Sequence, residues 1–149
     1  MLTRLIYHSE NHVGPFDQNM IAGLNAIMDV AVRRNKNADV TGALIFDACW
    51  FLQILEGERE AVSMTFRRIV TDERHDNVTL MEVKAIPERM FGNWWMGLAN
   101  IQGVSASLFE KFGLGSRFNP PKLTGDQAMI LALDLAQHGL DRQIVAPAA

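Results

Sequence analysis

The stretch Trp50-Phe51-Leu52-Gln53-Ile54-Leu55 decides the fold. Successive side chains of an extended chain point to opposite faces, so Phe51, Gln53 and Leu55 share one side and Trp50, Leu52 and Ile54 the other. Both sides are largely apolar, the pattern of a strand covered on both faces rather than half-solvated. Upstream, residues 40–46 (VTGALIF) read as its partner strand, and Asp47-Ala48-Cys49 as the tight turn of a hairpin. Further out, residues 2–9 (LTRLIYHS) alternate, with Leu5, Tyr7 and Ser9 on one face and Arg4, Ile6 and His8 on the other. After Gly14-Pro15, Asp17 is placed to cap a helix whose apolar positions Met20, Leu24, Ile27, Met28, Ala31 and Val32 recur every three or four residues, ending near residues 34–37. Downstream, residues 58–71 return to helical spacing through Val62, Phe66, Ile69 and Val70, with Glu58 and Glu60 where the helix dipole favours anions. Residues 79–86 and 94–101 read as two more strands.

The resulting order, β-α-β-β-α-β-β, predicts an α+β, ferredoxin-like fold with its two helices on one face of a mainly antiparallel sheet. The doubly apolar strand then requires a cover on the other face, and the tail supplies it. Residues 105–112 offer Leu108, Phe109 and Phe112, and Thr124 with Gln127 forms a capping box opening an apolar helix at residues 128–137, stopped by Gly139. Residues 113–121 are a turn-rich connector, and residues 146–149 a frayed end. The division expected is residues 1–101 as the main unit and 102–149 as a helical extension packed on its sheet, together one compact domain of 149 residues.

Composition narrows the function. The formal charge is −3 with no Lys/Arg run beyond two residues, so nothing concentrates the positive field that nucleic-acid binding needs. No stretch reaches the roughly 20 apolar residues of a membrane-spanning helix, which points to a cytoplasmic protein. A single cysteine, Cys49, excludes an internal disulfide. Phosphate-loop, zinc-protease and serine-hydrolase motifs are missing, and Gly113-x-Gly115 follows a helix rather than a strand. His8, His12, His75 and His138 lack metal-ligand spacing, so no metal is expected. Glu56 and Glu58 lie two apart as a catalytic pair would, but Glu58 fits an ordinary helix-start acid.

The polar residues that stand out lie inside apolar strands. Gln53 is an amide in a buried run and needs hydrogen-bonding partners. Tyr7, the only tyrosine, reaches it if strands one and three are neighbours, as the order predicts. On the residues alone this is a structural tyrosine-glutamine pair, with Arg34 and Asn35 at the end of the first helix adding polar groups to a slot between the helices.

Taken together, Tyr7, Asn35, Val40-Thr41-Gly42, Phe51-Leu52-Gln53-x-Leu55-Glu56-Gly57, Asp72-x-Arg74-His75 and Arg89-x-Phe91-x-x-Trp94-x-Met96-Gly97 resemble the BLUF (blue light using flavin) photosensor domain. The resemblance spans residues 2–97 and extends only loosely into the tail, as in short stand-alone members. It implies a flavin, FAD in first place with FMN as the alternative, held non-covalently between the helices. It further implies that Tyr7 donates an electron and a proton under blue light and that Gln53 rearranges, shifting the flavin absorption to the red. The matching cofactor-binding positions are Ser9, Arg34, Asn35, Gln53, Asp72, Arg74 and His75. Arg34 departs from the Asn or His usual there. Trp94 and Met96 match the pair that relays the signal and share one face of the last strand, while Trp95 points to the tail side. The expected output is contact with an unidentified downstream protein through the last strand and the C-terminal helices, with homo-oligomerisation and no enzymatic activity. A ferredoxin-fold flavin redox enzyme or electron carrier is the alternative, and a flavin-free interaction module the third reading.

Overall fold

The computed structural model describes residues 1–13, 18–92, 94–101, 109–111, 115, 117–138 and 142–144. The elements run β1 (Leu2–Asn11), α1 (Gln18–Ala38), β2 (Thr41–Phe46), β3 (Trp50–Glu58), α2 (Arg59–Val70), β4 (His75–Ala85) and β5 (Gly97–Asn100). A short 3-10 turn (Pro120–Lys122), α3 (Gly125–His138) and β6 (Arg142–Ile144) complete them. They build one sheet in the order β4-β1-β3-β2-β5-β6. Its first four positions are the ferredoxin-like arrangement. β5 then joins parallel to β2, and β6 antiparallel to β5. The sequence pattern did not reveal β6, a three-residue strand too short to show any periodicity.

β3 is buried along both faces, as its doubly apolar pattern requires. Its turn is closed by Asp47, whose Oδ1 accepts the N–H groups of Cys49 and Trp50, each at 2.8 Å. Gly42 permits the close approach of β2 to β3: a Cβ there would fall 1.9 Å from the Ile54 carbonyl oxygen. Asp39 ends α1 in the left-handed region at φ 56°, a role that falls to Gly, Asn or Asp.

Alternation along β3 separates two cores. Leu5, Tyr7, Leu44, Phe51, Leu55 and Met96 face α1 and α2, meeting Leu24, Met28 and Val62. Ile6, Ala43, Ile45, Leu52 and Ile54 face the tail and pack with Phe109, Phe118, Ala128, Leu131 and Leu135. The expected capping box forms, with Gln127 N–H donating to Thr124 Oγ1 at 3.1 Å and Thr124 N–H to Gln127 Oε1 at 2.9 Å. The cap at Asp17, most of the segment 105–112, the stop at Gly139 and the end at 146–149 lie outside the described residues. No helix among the described residues is long and apolar enough to cross a membrane.

Candidate functional site

Antiparallel register sets Tyr7 directly opposite Gln53. The Tyr7 hydroxyl donates to Gln53 Oε1, and Gln53 Nε2 points at Met96 Sδ, 3.5 Å away. All three side chains are buried, at 3%, 7% and 1% exposure. Burial, and then the Asp72 carboxylate, push the Tyr7 pKa well above its ordinary value, so the phenol is held neutral and donating. Its ring packs beside Phe66, centroids 5.6 Å apart, and edge-on to His75 at 6.2 Å. The arrangement is a neutral relay of phenol, amide and thioether in an apolar setting. Rotating the amide exchanges its donor and acceptor ends without moving net charge.

Three consecutive residues just ahead of β5 are each tied to a different element. Trp94 O accepts from Gly42 N–H of β2 at 3.2 Å, Trp95 O from Asn35 Nδ2 of α1 at 2.9 Å, and Met96 Sδ faces Gln53 of β3. This corrects the expectation that Trp94 and Met96 share a strand face. The strand begins only at Gly97, so strict alternation does not govern residues 94–96. Met96 turns toward the helices, while Trp94 packs with the tail-side core, its ring 6.2 Å from Phe91. Trp94 therefore takes the tail-side place expected of Trp95. It also lines a shallow apolar recess of about 20 Å³ between β2, β5 and α3, on the face away from Tyr7 and Gln53.

The remaining candidates spread toward the rim. Ser9 and His75 meet through Oγ and Nδ1 at 2.8 Å, and His75 Nε2 lies 2.6 Å from the Ile69 carbonyl. A carbonyl only accepts, so Nε2 carries a proton and donates to it. Arg74 Nε donates to Asp72 Oδ1 at 2.8 Å, and this pairing holds the Asp72 carboxyl below its ordinary range. Asn35 is buried whereas Arg34 is exposed, since neighbours on a helix point about 100° apart. The candidate Glu56–Glu58 pair does not form: Glu56 is fully buried and Glu58 exposed. Among the histidines, His8 is buried against Trp50, ring centroids 6.0 Å apart, and burial lowers its pKa. His12 lies at the exposed rim, where its ligand atom and those of Glu10 and Asp76 fall within 4.8 Å of one another.

The model of the family described as sensors of blue light using FAD matches residues 2–97. The chain belongs to the BLUF family. The blue light- and temperature-regulated antirepressor BluF of Escherichia coli (strain K12) is 38% identical over 116 residues, 74% of this chain and 28% of that protein. Photoactivated adenylate cyclase subunit beta of Euglena gracilis is 39% identical over 72 residues, 48% of this chain and 8% of that protein. The chain thus spans 28% or less of the length of these curated relatives, and the cyclase activity named for the second does not transfer to it. Among solved structures, the BlsA photo-activated state superposes with a TM-score of 0.80 at 27% identity, covering 91% of this chain and 94% of that one. The BlrB dark state gives 0.71 at 25% identity, covering 93% and 97%. This chain is a BLUF domain, of a family of blue-light sensors that use a flavin, and its fold is α+β.

The residues present fit a flavin. α2 lies against β1 and β3, and on the same face the buried Asn35 of α1 donates from Nδ2 to Trp95 O. An isoalloxazine ring is a flat apolar body with donors and acceptors along one edge. The buried face offers it the matching set: apolar walls with the Gln53 and Asn35 amides among them.

Two BLUF-matching residues without an assigned task acquire one in the structure. Glu56 is 0% exposed, and its Oε1 accepts the N–H groups of Met90 at 3.0 Å and Phe91 at 2.7 Å. Arg89 donates to Asp39 O at 2.8 Å, Thr41 Oγ1 at 3.1 Å and Glu56 O at 3.3 Å. Together they clamp the connection that leads to Met96. Sequence showed Glu56 as an acid after an apolar run, two residues from Glu58. Its partners are backbone groups 34 and 35 residues away, which no local pattern announces.

Proposed function

We propose that the protein is a blue-light photoreceptor binding FAD between α1 and α2, with Tyr7 as electron and proton donor and Gln53 as the switch. The observation carrying this reading is the buried Tyr7–Gln53–Met96 relay within a chain of the BLUF family. A bound flavin would supply blue-light absorption and an acceptor for one electron and one proton. Tyr7 releases an electron and its phenolic proton and recovers both. Gln53, freed for that interval from its phenol partner, reorients and hands a changed hydrogen bond to Met96. Asn35 positions the ring edge, Ser9, Asp72, Arg74 and His75 bound the outer part of the site, and exposed Arg34 lies at its margin. Residues 1–101 serve as the sensor and 102–149 as the output extension. The output passes through Met96, Trp94 and α3 to a downstream protein in the cytoplasm, with self-association of the chain as a second contact.

The test is the absorption spectrum of the dark-purified protein, repeated after blue illumination and during dark recovery, with the extracted flavin identified by chromatography. A small reversible red shift with FAD is the expected result. Bleaching to reduced flavin supports a redox enzyme instead, and a colourless protein that takes up no added FAD overturns the reading.

A further inference from the structure

The tail-side face of β3 carries a group of charges that the photochemistry does not use. Arg4 lies opposite Glu56 across β1 and β3. Its Nη1 is 3.6 Å from Glu56 Oε2, and its Nε is 3.6 Å from Glu82 Oε2. The three side chains are 10%, 0% and 19% exposed. Both distances satisfy an ion pair, and both are too long for a hydrogen bond. Among the described residues, Arg4 Nε and Glu82 Oε2 have no hydrogen-bond partner. Lys84 stands at the rim, 3.5 Å from Glu82 Oε1.

Glu56 holds one element and Glu82 lies against another. Glu56 grips the backbone of Met90 and Phe91, and Phe91 O in turn accepts the Trp94 N–H at 3.2 Å, two residues ahead of Met96. Glu82 lies under the first turn of α3, so close that a Cβ on Gly125 would fall 2.7 Å from its Oε1. One guanidinium is therefore shared between the carboxylate holding the relay segment and the carboxylate lying beneath the first turn of the tail helix.

We propose that Arg4 is the coupling residue between the photosensing face and α3, dividing its charge between Glu56 and Glu82 in a ratio set by the 90–96 segment. The inference rests on the sensor reading and deepens it by naming the route of output. With neither contact closed, a displacement of under about 1 Å brings Arg4 into hydrogen-bonding range of one carboxylate and away from the other. With Glu56 and most of Arg4 out of solvent, the difference is strong enough to favour two discrete arrangements. A shift of Met96 that loosens the Glu56 grip leaves that carboxylate short of donors and draws Arg4 toward it. Glu82 is then released beneath Gly125, and the start of α3 loosens.

The experiment uses the full flavin-loaded chain and compares amide hydrogen exchange of residues 125–138 in light and dark, with the absorption shift recorded on the same samples. Wild type is expected to exchange faster at the start of α3 in the light. Glu82→Gln, a near-isosteric change at a partly exposed site, should keep the absorption shift and lose the light–dark difference. Arg4→Gln should do the same, and Arg4→Lys should restore part of the difference. A light–dark difference of wild-type size in Glu82→Gln overturns the coupling, as does a wild type that shifts its absorption without any change at α3. Absence of the absorption shift in wild type overturns the sensor reading itself.

Discussion

β3 presents two faces of different chemistry. Toward the helices, Gln53 sits among neutral partners, the Tyr7 phenol and the Met96 thioether. Toward the tail, Glu56 sits among charges and backbone donors, with Arg4 beside it and the Met90 and Phe91 N–H groups on its carboxylate. Neutral hydrogen-bonding groups exchange partners at modest cost, about 1 kcal/mol net per bond. A buried carboxylate stripped of its partners costs several times more. The neutral face is thus suited to switching, and the charged face to holding the frame against which switching registers.

The sharpest way to break this comparison is to remove an anchor. Glu56→Ala leaves two backbone N–H groups without an acceptor and takes from Arg4 one of its two carboxylates, and should lower unfolding stability by about 3–5 kcal/mol in urea titration. A loss under about 1 kcal/mol would show that the carboxylate is no anchor. On the same face, Leu131→Ala empties a fully buried position between α3 and the sheet. A loss of about 2–4 kcal/mol is expected, read as a lower thermal midpoint. If the midpoint does not move, α3 is not part of the folded core.

On the switching face, Tyr7→Phe leaves Gln53 Oε1 unpaired at about 1–3 kcal/mol, yet should abolish the light-induced red shift completely. Gln53→Leu should retain flavin and lose the shift as well. Persistence of the shift in either variant would remove the neutral relay from the mechanism.

The smallest effect lies at the rim. Arg74 holds the Asp72 carboxyl below its ordinary value of 3.8. A depressed folded value contributes stability that is fully present above 3.8 and is lost as pH falls through the folded value. Asp72→Asn should therefore cost under about 1 kcal/mol at neutral pH, because the pair is solvent-screened. The difference from wild type should vanish in acid, as denaturant midpoints measured against pH would show.

Much of the molecule follows from local pattern. Alternation through residues 50–55 marks a strand buried on both faces, helical spacing after residues 17 and 58 marks the two helices, and Thr124 with Gln127 marks the start of α3. The site was legible where one residue type broke an apolar run, as Gln53 does, and where a family spacing connected it with Tyr7 and Asn35. Periodicity is a property of neighbouring residues, and it carries this information without the rest of the chain. What it does not carry is contact between distant segments. Only the tertiary structure turned Met96 and Trp94 to opposite faces, because residues 94–96 are held by bonds to β2, α1 and β3 rather than by strand alternation. Only it placed Arg4 between Glu56 and Glu82, since a buried charge takes its partners from wherever folding delivers them.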